Sequence, residues 1–72
     1  MKHQMRINIQ DAAECMTYVR ELRESGLVQG KDFDFWYYPY AYNVFSGEEH
    51  LRHVLVCFAS ESTATFYRVK WL

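Results

Sequence analysis

The sequence predicts an α+β fold, a three-stranded antiparallel sheet with two helices on one face, in the order strand, helix, strand, strand, helix. Three observations carry the expectation. Period-2 alternation near the N-terminus gives way at Asp11 to a helical apolar stripe. Two further alternating runs, rich in aromatic and β-branched residues, follow on either side of Pro39 and a Ser46-Gly47 turn signal. The chain then closes on a run that Ser60 can cap as a helix.

In the first strand, residues 3 to 9, Met5, Ile7 and Ile9 alternate with Arg6 and Asn8. The helix that follows places Ala12, Cys15, Met16, Val19 and Leu22 on one stripe, with Glu14, Arg20, Glu21, Arg23 and Glu24 mostly outside it. Asp11 and Glu14 form an acidic variant of the capping box. Gly26 supplies the left-handed position that ends the helix, and Leu27 the apolar contact after it.

Gly30-Lys31 opens a second strand, Asp32 to Tyr38, with Phe33, Phe35 and Tyr37 on one side and Asp34, Trp36 and Tyr38 on the other. Pro39 ends it, having no N–H to donate. Residues 40 to 50 read as a long connection, and Leu51 to Phe58 as a third strand in which Val54, Val56 and Phe58 oppose His53, Leu55 and Cys57. The last segment alternates Thr65, Tyr67, Val69 and Trp71 with Phe66, Arg68 and Lys70, as a strand would. Ser60 as N-cap, Glu61 in the first turn and the shared helical face of Ala64, Tyr67 and Trp71 favour a helix instead.

This order is that of a ferredoxin-like unit lacking its last strand. Right-handed crossovers then place the third strand between the first two, order 1-3-2, with both helices on one side. The helix side receives Met5, Ile7, Ile9, Phe33, Phe35, Tyr37, Val54, Val56 and Phe58. The other side carries Arg6, Asn8, Asp34, Trp36, Tyr38, His53, Leu55 and Cys57, and no predicted element covers it. The first strand is left as an edge open to pairing with another chain. A competing expectation folds the 40 to 50 loop back, so that Tyr40, Tyr42 and Phe45 cover Trp36 and Tyr38.

The whole chain, 1–72, reads as one small domain without linker, repeat or low-complexity stretch. At this length only about 60% of the unfolded chain's surface is buried, so aromatic bulk or self-association has to compensate for a small core. Cys15 and Cys57 fall in predicted regular structure and make no disulfide framework. No secretory signal opens the sequence and no apolar run approaches a membrane span, which points to a reducing cytoplasm. A formal charge of −1 argues against nucleic acid as the partner.

Chemistry-bearing motifs are sparse. His50, His53 and Cys57 offer nitrogen and sulfur ligands, but structural zinc takes four at tight spacing, and Cys15 lies on the buried helix stripe while His3 is distant in sequence. His53 and Cys57, four apart on a strand, stand about 13 Å apart, too far for a thiol and its base. No general acid and base or activated nucleophile assembles, so neither an enzyme nor a cofactor or metal is expected. An RNA-recognition sheet would carry its aromatics on the first and third strands, whereas here Trp36 and Tyr38 lie on the second. Asp32, Asp34, Glu48 and Glu49 can form an anionic rim able to compete for a basic surface.

The most informative feature is aromatic density: of thirteen aromatic residues, eight fall between Phe33 and Phe45. Strand alternation assigns Phe33, Phe35 and Tyr37 to the core. Trp36, Tyr38, Tyr40, Tyr42 and Phe45, with Asp34 and His53 beside them, form the candidate partner-binding site, since exposed aromatic patches mark interaction surfaces. The run Ala64-Thr65-Phe66-Tyr67-Arg68-Val69-Lys70-Trp71, preceded by Phe58-Ala59-Ser60-Glu61, together with the aromatic strand Asp32 to Tyr38, resembles small uncharacterised proteins of tailed bacteriophages. That resemblance implies a viral modulator or inhibitor that binds a host protein or a defence complex such as CRISPR, in the host cytoplasm, and it carries over no site residue. Two alternatives stand beside it: a homodimer whose sheet faces meet, enclosing a ligand or regulating, and a binder of RNA or single-stranded nucleic acid.

Overall fold

The computed structural model describes residues 2–71; Leu72, the last residue of the predicted C-terminal helix, lies outside them. The elements are β1 (His3–Asn8), α1 (Ala12–Glu24), β2 (Phe33–Tyr38), β3 (Ala41–Tyr42), β4 (Glu49–His50), β5 (His53–Phe58) and α2 (Glu61–Trp71). The main sheet is antiparallel throughout, in the order β1-β5-β2, which is the predicted 1-3-2 arrangement.

Helix α1 begins at Asp11, whose Oδ1 accepts from the Glu14 amide at 3.0 Å. The Glu14 carboxylate reaches back to the Gln10 amide at 3.2 Å, one residue earlier than in the usual capping box. At the other end the chain turns through Gly26 at φ 90°. There Gly26 N–H donates to Arg23 O and Leu27 N–H to Leu22 O, the paired bonds of a Schellman stop, which requires a left-handed residue that glycine supplies without strain. Helix α2 forms as expected, but the Ser60 hydroxyl pairs with Ser62 Oγ at 2.8 Å.

One face of the sheet and both helices enclose the core. Met5, Ile7, Val54, Val56, Phe33 and Phe58 come from the strands, Cys15, Val19 and Leu22 from α1, Ala64 and Tyr67 from α2. Phe58 and Phe33 are register partners at the same end of the sheet. The Phe58 ring stacks on Tyr67 with centroids 5.6 Å apart and planes nearly parallel. Tyr67 then places its hydroxyl 2.8 Å from Ser25 Oγ, so the one polar atom of this buried ring has a partner on α1.

A second tie joins the helices near the surface. Glu21 on α1 takes an ion pair from Lys70 at 2.6 Å and a hydrogen bond from Trp71 Nε1 at 2.5 Å, while Trp71 packs edge-on against Tyr18. The Lys70 ammonium holds the Glu21 carboxyl below the ordinary range, against a smaller opposing effect of burial.

The structure departs from the sequence reading at four places. The third main-sheet strand starts at His53, two residues later than expected. The 40 to 50 segment is a β-ribbon, β3 paired with β4, and not a structureless connection. Tyr37 does not enter the core: it is 37% exposed, because β2 has by then run past the helices. Cys57, assigned to the uncovered face, is only 1% exposed even though it alternates away from the core.

Truncating Phe58 to Ala removes the centre of the aromatic stack and costs about 3–5 kcal/mol. A domain of this size has a total stability of about 4–11 kcal/mol, so urea denaturation should show the variant's midpoint reduced by about a quarter or more, or no folded baseline. Glu21→Gln tests the helix tie. Because the folded carboxyl titrates below its unfolded value, its contribution is present above the unfolded value and disappears as pH falls through the folded one. The melting temperatures of wild type and variant should therefore differ near neutrality and converge in acid.

Candidate functional site

The register of the long hairpin explains the site. Tyr38 faces His53 at the end of the β2/β5 ladder, and Ala41 faces His50 at the start of the β3/β4 ladder, with Tyr42 opposite Glu49. The two ladders share one register, interrupted where Pro39 would face Arg52 and Tyr40 would face Leu51. Arg52 instead extends the β1/β5 register by one residue: its carbonyl accepts from the Ile9 amide at 3.1 Å, and its Nη1 donates to Gln10 O at 2.6 Å. The second half of the hairpin thus leaves the sheet as an arm whose base is pinned to the end of β1.

The arm ends in a preorganised turn. Asn43 and Glu48 close it through Asn43 N–H to Glu48 O at 2.9 Å, and Gly47 N–H donates to Asn43 O at 2.8 Å. The Asn43 side chain also accepts from the Phe45 amide at 2.9 Å and the Ser46 amide at 3.3 Å, an Asx turn. Gly47 sits at φ 75°, where other residues are strained. What this frame displays is apolar: Val44 is exposed, and Phe45 is 97% exposed at the tip.

Trp36 and Tyr38 alternate outward on β2, Tyr40 and Tyr42 follow beyond Pro39, and each of the four is roughly half exposed. Tyr40 hydroxyl donates to Glu49 at 3.1 Å, which fixes these two residues on the same side and pushes the Tyr40 phenol above its ordinary range. Tyr38 lies stacked on His53 at 4.8 Å. Next to Trp36 in the sheet stand Leu55 and then Arg6, whose Nε donates to Asn8 at 3.3 Å. A cleft of about 530 Å³ opens where the arm leaves the sheet, lined by Asn8, Ile9, Gln10, Tyr40, Leu51 and Arg52.

Trp36, Tyr38 and His53 share the open face of the sheet, while Tyr40, Tyr42 and Phe45 are exposed along the arm. Asp34 lies at the opposite end of the same face, where its carboxylate accepts from the Phe35 amide at 2.8 Å. The arm does not fold back over the sheet, so the expectation that it covers Trp36 and Tyr38 fails: Trp36 remains 48% exposed. Val44, Leu51 and Arg52 belong to the site and were missed by sequence reasoning. The pattern Asn43 to Gly47 between Tyr42 and Glu49 is a hairpin-turn signature that could have found the first.

The remaining chemistry is dispersed. His50 lies 3.6 Å from Glu48, and His53 Nδ1 lies 2.8 Å from Leu51 O. Cys15 and Cys57 are free and buried, and burial pushes both thiols up, away from nucleophilic thiolate. Among the described residues no three His, Cys, Asp or Glu side chains come together as a metal site, and no helix is long and apolar enough to cross a membrane.

What the described residues expose is an aromatic, mixed-charge sheet face and an arm with an apolar tip. Comparison of the chain with protein-family models, curated proteins and solved structures finds no match.

Proposed function

We propose that this protein is a non-catalytic interaction module that binds another protein through its arm and the adjoining aromatic face, with Trp36, Tyr38, Tyr40, Tyr42 and Phe45 as contacts and Asp34 and His53 at the rim. The observation that carries the reading is Phe45, almost wholly exposed on a turn locked by Asn43. Exposing a phenylalanine at the end of a stiff ribbon costs solubility and returns nothing to the core. In a complex it can fill a partner's pocket, and because the turn is already ordered, little conformational entropy is lost on docking. Tyr and Trp along the stem supply the rigid amphipathic contacts that interfaces favour.

The phage resemblance of the sequence fits this reading. A small viral protein acting in the host cytoplasm on a host protein or defence complex needs a binding surface and no chemistry of its own. Free buried cysteines suit such a reducing compartment.

The test is capture of the partner from host lysate, its identification, and measurement of binding by variants. Phe45→Ala should weaken binding on the order of thirtyfold or more, the effect of losing an interface anchor, with the circular dichroism of the domain unchanged. Full affinity in Phe45→Ala combined with Tyr42→Ala would overturn the reading. A row of aromatics is also the geometry on which bases stack. Asp34, Glu48 and Glu49 along it oppose phosphate, so fluorescent oligo(dT) and oligo(U) should show no binding at low salt, and salt-sensitive binding there would reassign the surface to nucleic acid.

A further inference from the structure

We infer that the sheet part of this surface is occupied by a second copy of the chain, in a two-fold dimer whose axis lies between the two sheets and runs along β5. The inference rests on the reading of the face as an interaction surface and divides it: the sheet for self-association, the arm tips for the partner.

Three rows of residues cross the open face, Gln4–Cys57–Asp34, Arg6–Leu55–Trp36 and Asn8–His53–Tyr38, each read from β1 through β5 to β2. A two-fold axis parallel to β5 exchanges the two ends of every row and leaves its centre in place. Arg6 of one copy then lies over Trp36 of the other, a guanidinium on an indole face. Leu55 meets Leu55, Asn8 meets the Tyr38 hydroxyl, and Gln4 meets the Asp34 carboxylate. Each row is complementary to itself under this operation, as an isologous interface requires. The alternative axis, at right angles to the strands through the central row, sets Arg6 on Arg6 and Trp36 on Trp36 and keeps only the Leu55 pair. Sheets stacked in this way keep their strand directions within about 30° and their planes about 10 Å apart, so the side chains of the two faces interdigitate.

Area points the same way. The exposed halves of Trp36 and Tyr38 offer on the order of 200 Å² if a full aromatic side chain is worth about 150–250 Å². Arg6, Asn8, His53 and Leu55 beside them extend the face toward the small end of the range around the roughly 800 Å² that each subunit gives a standard interface, which suits a dimer that dissociates on dilution. Both arms leave the dimer at the same end, so two Phe45 tips stand side by side.

Multi-angle light scattering and sedimentation equilibrium on the full chain at micromolar concentrations decide the matter. The expected mass is twice 8.7 kDa, and dilution should return it toward the single-chain value. Leu55→Glu, which sets two carboxylates against each other on the axis, and Arg6→Glu, which removes the cation from Trp36, should each reduce the mass to one chain while circular dichroism stays native. Arg6 is exposed, so its variant decides if Leu55→Glu fails to fold. Phe45→Ala should leave the mass unchanged. A single-chain mass throughout, or a dimer indifferent to Arg6→Glu, overturns the proposal. In either event partner capture that still depends on Phe45 leaves the proposed function standing, so the two failures are told apart.

Discussion

The pairing of β5 with both of its neighbours is the constraint on which the rest of the molecule depends. Its Val54, Val56 and Phe58 are buried and face α1 and α2, its partners β1 and β2 exist as strands only through it, and its register with β2 continues into the arm. A slip by one residue would turn Val54, Val56 and Phe58 to the open side and bring His53, Leu55 and Cys57 against the helices. The aromatic stack of Phe58 on Tyr67 and the facing of Phe58 with Phe33 penalise such a slip at one end of the sheet. The Arg52 contacts with Ile9 and Gln10 do so at the other.

Because β5 is central, β1 and β2 are both edges and the sheet has only one covered face. Edge pairing differs between them. The start of β2 is shielded by the turn before it, where Gly30 N–H donates to Phe33 O at 2.7 Å and Gln29 bridges to Phe33, whereas β1 carries Arg6, a charge that disfavours strand-to-strand aggregation. The open face follows from the same economy of size. Two short helices cover one side of three strands, so Trp36 and Tyr38 on β2 stay about half exposed on the other, although Cys57 on β5 is buried there. A core that buries Phe33, Phe58 and Tyr67 while leaving seven aromatics exposed is what a chain this short can enclose.

Most of this was legible in the sequence, and the failures have a common cause. Helix α1 announces itself through Asp11, Gly26 and its apolar stripe, all local signals that the tertiary structure does not overrule. The strand order follows from handedness once the elements are placed. What the sequence concealed lies around Pro39. A proline in an alternating run reads as the end of a strand, and it does end β2. The register, however, is the same on both sides of the gap, so that Tyr38 faces His53 and Tyr42 faces Glu49, a continuity that a proline break conceals. The same gap hid Arg52, whose role depends on Gln10, 42 residues away. Tyr37 was misplaced for a related reason, since alternation gives the side of the sheet but not how far along it the helices reach.

The interruption at Pro39 also explains why the arm suits recognition. An unbroken hairpin would carry the twist of the sheet straight to its tip and would add a long, flat, aromatic edge, a hazard for aggregation. Breaking the ladder for two pairs of residues lets the arm leave the sheet while its base stays anchored through Arg52, and the Asx turn at Asn43 holds the far end. Stiffness at both ends with a single joint between them fixes where Phe45 points without requiring a core beneath it. Binding strength then comes from one well-placed apolar anchor and a set of half-exposed aromatics rather than from area alone, and that is the economical solution for a chain with so little interior of its own.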